Sequence, residues 1–302
     1  IDGGDGFDIV HYRFGTATAG VQVDLQFGQA TGGEGNDRLI SIEGVIGTDF
    51  GDVLVGSSVD NFFRGLQGDD RIDGAGGIDR AGYDRSNGSV QVSLLTGTSS
   101  GADGNDTLRN IENLRGGDFA DTLEGDNAGN DIEGRGGDDV LRGLGGRDLL
   151  KGEAGNDRLE GGDSQDTLRG GAGDDVLDGG AHQTLFEHDY ADYTDATGGV
   201  TVDLVAGVGT GAGVGRDTLI GIEAVLGSQH GDTLLGSADH NLFNPGAGDD
   251  RMVGGDGYDI VGYWDASGPV QIDMRTGRVT GASGNDTLDG FEGALGTAHA
   301  DV

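Results

Sequence analysis

From Gly116 to Asp178 the chain reads GGDFADTLE, GDNAGNDIE, GRGGDDVLR, GLGGRDLLK, GEAGNDRLE, GGDSQDTLR and GGAGDDVLD, seven nine-residue frames without a gap. Position 1 is Gly in every frame, and position 6 is Asp in all but one, where Asn130 stands. Position 8 is always aliphatic: Leu123, Ile132, Leu141, Leu150, Leu159, Leu168 and Leu177. Such a fixed period defines a repeat architecture, because one unit cannot bury its apolar face alone and must stack on its neighbours. A flexible Gly/Asp linker has no reason to keep an aliphatic residue at every ninth position.

The chemistry of each position follows from the turn it must make. Six residues reverse the chain, with Gly supplying positive φ and close backbone approach. The last three form a short strand whose middle residue points inward, because side chains alternate along a strand. Two frames complete an 18-residue coil, so position 6 of one frame lies over position 6 two frames later. Asp121, Asp139, Asp157 and Asp175 are expected along one edge, and Asn130, Asp148 and Asp166 along the other. Carboxylates stacked about 4.8 Å apart repel one another strongly. The whole chain shares this difficulty: 54 Asp and Glu face 18 Lys and Arg, for a net charge of -36. With 66 glycines in 302 residues it cannot be helical, since each Gly costs about 1 kcal/mol against Ala in a helix. A divalent cation removes the repulsion, and oxygen-only ligands on flexible turns suit Ca²⁺ better than Mg²⁺. There is no Cys for a disulfide or a thiolate metal site.

These frames match the pattern GGxGxDxUx, with U a large aliphatic residue, and the sequence resembles the RTX (repeats-in-toxin) family. The resemblance implies an all-β fold, a calcium-stabilised parallel β-roll or right-handed parallel β-helix solenoid. Each ion would sit between neighbouring turns, bound by the sixth-position Asp and by turn carbonyls. Carried onto this chain, the candidate ligands are Asp8, Asp37, Asp52, Asp70, Asp79, Asp106, Asp121, Asp139, Asp148, Asp157, Asp166, Asp175, Asp217, Asp232, Asp250, Asp259 and Asp286. That predicts roughly a dozen Ca²⁺ ions at extracellular-type sites, and folding that depends on them. The resemblance also implies type I secretion from a Gram-negative bacterium, with the protein extracellular or at the cell surface and its export signal beyond Val302.

A longer period overlies the first. Alternating strands recur as VQVDL from Val21, VQVSL from Val90, VTVDL from Val200 and VQIDM from Val270, so 69, 110 and 70 residues apart. Each follows an aromatic (Tyr12, Tyr83, Tyr193, Tyr263) and precedes a calcium-type frame and a six-residue segment: SIEGVI, NIENLR, GIEAVL or GFEGAL. The units are therefore residues 1–82, residues 83–187 with the extended array 116–178, residues 188–262, and a truncated 263–302. The longer middle interval holds four additional frames and about five more residues near Gln183–Asp192. Because VQVDL is too long for a nine-residue coil, it is expected to form an inserted wider turn with Val21, Val23 and Leu25 inward and the Tyr residues covering the widened core. Frames such as GSSVDNFFR and GSADHNLFN, with Asn61 and Asn241 at position 6, are expected to hold no ion or a weak one.

No catalytic constellation emerges. Acid pairs are so abundant that pairing carries no information. Glu43, Glu112, Glu223 and Glu292 recur once per unit and so are structural, either capping a turn or adding a metal oxygen. None of the six His forms HExxH, and there is no GxSxG elbow. His182 and His188 flank the insertion and read as a surface loop. The acid excess argues against nucleic acid as a partner, and no apolar run approaches the roughly 18 residues of a transmembrane segment. Without a Met start, and ending inside a repeat, the chain is expected to be an excerpt of a longer protein. The expected function is a non-catalytic calcium-binding segment of a large secreted protein, adhesive or surface-layer in role. Cell-surface glycans or other copies of the protein are the candidate partners. The alternative is an accessory module of an exported metalloprotease, lipase or polysaccharide-modifying enzyme.

Overall fold

A computed structural model describes residues 1–13, 18–33, 35–181 and 187–302. The chain forms two compact units, Ile1–Leu144 and Gly145–Val302. Among the described residues every regular element is a strand, and no helix is long and apolar enough to cross a membrane.

Strands recur because positions 7 to 9 carry an inward aliphatic residue between two outward ones, whereas the turns before them are rich in Gly and Asp. Within the first unit Ile9–His11, Gly44–Ile46, Phe62–Arg64, Arg80–Gly82, Asn113–Arg115 and Asp131–Gly136 pair side by side in parallel. Strands lying between these in sequence build a second parallel ladder, Val53–Val55 on Arg71–Asp73 and Arg71–Asp73 on Thr107–Arg109. The chain thus alternates between two ladders, and plain frames pair in an 18-residue register: Leu54 with Ile72, Leu123 with Leu141. The second unit repeats this, with Leu150 on Leu168, Leu159 on Leu177 and Leu234 on Met252.

Position 8 is the core. Leu123, Ile132, Leu141, Leu150, Leu159, Leu168 and Leu177 are fully buried, as are Phe63, Leu114, Val225 and Phe243. Burying one such side chain contributes roughly 1.5–3 kcal/mol.

The alternating segments lengthen the roll by folding back on themselves. Val21–Asp24, Gln29–Gly32 and Gly35–Arg38 form an antiparallel meander whose first strand also lies parallel to Val53–Val55. Its counterpart, Val90–Ser93 with Thr98–Gly101 and Thr107–Arg109, shows both attachments. Its third strand stacks on the preceding coil at Arg71–Asp73, and its first strand on the following coil at Thr122–Glu124. The expected wider turn is therefore a three-stranded splice between two coils. Val21 and Val23 point inward as expected, but Leu25 is only half-buried and Met274 is exposed. Each falls just past the end of its strand, where a turn interrupts the alternation. Of the irregular stretch Gln183–Asp192, residues 183–186 lie outside the described residues, as does His182.

Candidate metal centre

Backbone bonds draw the sixth-position carboxylates inward. In the plain coils Oδ1 accepts the N–H of the sixth-position residue one coil earlier: Asp70 from Asp52 (2.7 Å), Asp139 from Asp121 (2.7 Å), Asp166 from Asp148 (2.8 Å), Asp175 from Asp157 (2.8 Å) and Asp250 from Asp232 (2.7 Å). Oδ1 of Asp52, Asp121 and Asp232 accepts instead from Val21, Val90 and Val200. Longer chain excursions preserve the contact, so Asp106, Asp217 and Asp286 accept from Asp70, Asp175 and Asp250. Each of the two units thus brings its predicted ligands into stacked rows.

What the second oxygen does divides the turns into three kinds. In Asp8, Asp70, Asp79, Asp166, Asp175, Asp250 and Asp259, Oδ2 is buried and receives no hydrogen bond. In Asp52, Asp121 and Asp232, Oδ2 accepts the N–H of position 2 of its own turn, from Thr48 (2.6 Å), Gly117 (2.7 Å) and Ser228 (2.7 Å). Asp301, at the same place near the end of the chain, accepts from Thr297 (2.7 Å). In the meanders hydroxyl groups take over. Asp106 Oδ2 accepts from Tyr83 (3.0 Å) and Ser99 (2.7 Å), Asp37 accepts from Tyr12 (3.3 Å), and Asp286 accepts from Ser283 (3.3 Å). Burial and the nearby charge of Asp217 hold the Tyr193 phenol proton on.

Backbone conformation at position 2 separates the first kind from the second. The turns with an unbonded oxygen are left-handed there: Gly4 (φ 92°), Leu66 (76°), Ala75 (71°), Gly162 (114°), Gly171 (93°), Gly246 (82°) and Gly255 (109°). The turns of Asp139, Asp148 and Asp157 share the conformation at Arg135, Leu144 and Glu153. Thr48, Gly117, Ser228 and Thr297 have no positive φ, and their N–H groups cap the carboxylate instead. A left-handed non-Gly residue costs about 1–2 kcal/mol, so five such side chains, Leu66, Ala75, Arg135, Leu144 and Glu153, mark a turn shape that something else must stabilise.

Position 1 is glycine for a different reason. A Cβ on Gly161 would stand 2.4 Å from Asp166 Oδ2 and 2.7 Å from the Gly179 carbonyl oxygen; on Gly152, 2.2 Å from Asp157 Oδ2 and 2.6 Å from the Gly170 carbonyl. The missing side chain leaves a cradle lined by a carboxylate oxygen and a carbonyl oxygen of the next coil. Among the described residues no three His, Asp or Glu side chains cluster as a metal cage. A cation in the cradle must therefore draw on backbone carbonyls, as a hard oxygen-seeking ion does. These residues fit Ca²⁺.

Electrostatics point the same way. Burial pushes Asp70 and Asp166 up to about 8, and Asp79 and Asp250 up to about 7, with neighbouring acids adding to the rise. A carboxylate resists ionising where water has been removed and nothing positive replaces it.

Two roles escaped the sequence, and a third was left between two readings. Asp189 occupies a sixth position, accepting the Asp166 N–H at 2.7 Å. It was recoverable, because it stands four residues before Tyr193, as Asp8, Asp79 and Asp259 stand before Tyr12, Tyr83 and Tyr263. Glu43, Glu112, Glu223 and Glu292 take the place of a sixth-position acid, their Oε2 accepting the N–H of Asp8 (2.9 Å), Asp79 (2.7 Å), Asp189 (3.2 Å) and Asp259 (2.9 Å). Of the two structural roles open to them, this is the capping one. Finally, Asn61, Asn130 and Asn241 each donate Nδ2–H to the backbone carbonyl of Glu43, Glu112 and Glu223 at 2.8–3.1 Å. Asp cannot donate there, which is why all three units place Asn.

The fold and these turns define a parallel β-roll whose stacked turns offer oxygen cradles to a divalent cation. A sequence model described as RTX calcium-binding nonapeptide repeat (4 copies) matches residues 46–81, 115–150, 151–181, 226–261 and 277–294, just over half of the chain. The chain belongs to that family, and it is a calcium-binding β-roll. No curated protein matches it.

Proposed function

We propose that this chain is a non-catalytic calcium-binding segment of a secreted protein, structural or adhesive in role, that folds on reaching extracellular calcium. The observation that carries the reading is the set of buried carboxylate oxygens without a hydrogen bond, most of them beside a cradle that only glycine leaves empty; in the Asp250 turn position 1 is Pro245. The ions are assigned to the turns of Asp8, Asp70, Asp79, Asp139, Asp148, Asp157, Asp166, Asp175, Asp250 and Asp259, and to the additional turn of Asp189. Asp37, Asp52, Asp106, Asp121, Asp217, Asp232 and Asp286 act as internal hydrogen-bond acceptors. A structural role is supported by recurrence: the meander and the Glu cap appear once in each long sequence repeat, whereas an active site occurs once in a fold.

Calcium titration by calorimetry, paired with circular dichroism in calcium and in chelator at neutral pH, tests the proposal. Multiple binding events and a strand signal that falls on chelation are expected. A chain that binds no calcium and keeps an unchanged spectrum in chelator would refute it.

A further inference from the structure

Turns that need no ion are grouped, not scattered. From Asp106 to Glu133 every sixth-position acid or amide is served by a protein donor. Tyr83 and Ser99 bond Asp106; the N–H groups of Gly117 and Val90 bond Asp121; the N–H of Asp126 bonds Asn130, which itself reaches the Glu112 carbonyl. Residues 37–64 repeat the arrangement with Tyr12 on Asp37, with Thr48 and Val21 on Asp52, and with Ser57 on Asn61. In residues 217–244, Ser228 and Val200 bond Asp232, and Ser237 bonds Asn241. Outside these blocks lie the left-handed turns, at residues 65–82, 134–178 and 245–262 and in the turns of Asp8 and Asp189.

Calcium removal therefore acts on the two kinds of turn differently. In the turns of Asp70, Asp79, Asp166, Asp175, Asp250 and Asp259 it strands a buried carboxylate oxygen, and an unpaired buried charge is among the costliest things a fold can hold. In a capped turn it removes nothing, because the donors belong to the chain. Repeat arrays gain stability unit by unit and can keep order in one stretch while losing it in the next.

We infer that each capped block is a calcium-independent seed and that the cradle turns between blocks are the calcium-responsive part, ordering onto the seeds when the ion arrives. This rests on the calcium reading above and adds a spatial pattern to it.

Hydrogen–deuterium exchange of the whole chain at neutral pH, in calcium and in chelator, tests the inference. Exchange in residues 65–82, 134–178 and 245–262 is expected to accelerate on the order of tenfold or more on chelation. Residues 47–64, 116–133 and 227–244 are expected to change much less. Two variants separate the roles. Asp52→Asn keeps the Oδ1 bond to Val21 but sets an amide NH₂ against the Thr48 N–H, so it should loosen its block equally with and without calcium. Asp166→Asn keeps the Oδ1 bond to Asp148 and should loosen the array only in calcium. Acceleration that is uniform along the chain, or an Asp52→Asn effect seen only in calcium, would overturn the inference while leaving calcium binding intact. No calcium response anywhere would overturn the function proposed above.

Discussion

Replacing Gly74 by Ala would place a methyl carbon 2.0 Å from the Asn110 carbonyl oxygen and 2.4 Å from Asp79 Oδ2. Both neighbours are held, one in the backbone of the next coil and the other by the Asn61 N–H at 2.6 Å, so the backbone must move. Overpacking of this kind costs about 1–3 kcal/mol. The methyl also fills the cradle assigned to an ion, and losing a site held at ten times its Kd removes about 1.4 kcal/mol more. Two residues on, Gly76 offers the opposite case: no atom lies within 4 Å of its Cβ direction and its φ is not positive. Its N–H bonds to the Ser57 and Gly74 carbonyls survive in Ala, and Ala restricts the unfolded chain, so the change should be neutral or stabilising by up to about 1 kcal/mol. Urea unfolding at fixed free calcium should therefore separate Gly74→Ala from Gly76→Ala by roughly 2–5 kcal/mol. Calorimetry should show one site fewer in Gly74→Ala alone. Equal effects, or greater damage from Gly76→Ala, would show that the turn positions have been misassigned.

Asn61→Asp should destabilise by about 1–3 kcal/mol, because a carboxylate oxygen then meets the Glu43 carbonyl that Nδ2 now serves at 3.0 Å; a gain of one calcium site in titration would refute this. Leu168→Ala, in a fully buried position stacked between Leu150 and Ala191, should cost about 2–5 kcal/mol in urea unfolding with calcium present. Acid should partly replace calcium. The folded, ion-free carboxylates of Asp70, Asp79, Asp166 and Asp250 titrate near 7 to 8, above their ordinary value of 3.8, so the fold binds more protons than the unfolded chain. That contribution is complete below about pH 4 and is lost as pH rises through 7 to 8. Dialysed, calcium-free chain should then show more strand by circular dichroism at pH 5 than at pH 8, and calcium binding near pH 7 should release protons. An ion-free chain equally structured at both pH values would contradict the electrostatic reading.

Much of this protein was determined by the sequence alone. The ninefold spacing of Leu123 through Leu177 set the 18-residue coil, the inward column and the stacking of Asp121 with Asp139, because strand alternation and coil length are local properties of the chain. The fate of the second carboxylate oxygen was not local. Asp52 and Asp70 look alike in sequence, yet Thr48 turns its N–H inward while Leu66 adopts a left-handed conformation, and only the folded turn shows that one cradle is capped and the other open. The donors that replace an ion also come from far along the chain: Tyr83 reaches Asp106, Glu112 reaches Asp79, and Asn130 reaches the Glu112 carbonyl. A short strand repeated at fixed intervals is written into its own nine residues. Which oxygens remain for calcium is decided where coils meet, through contacts that no single frame contains.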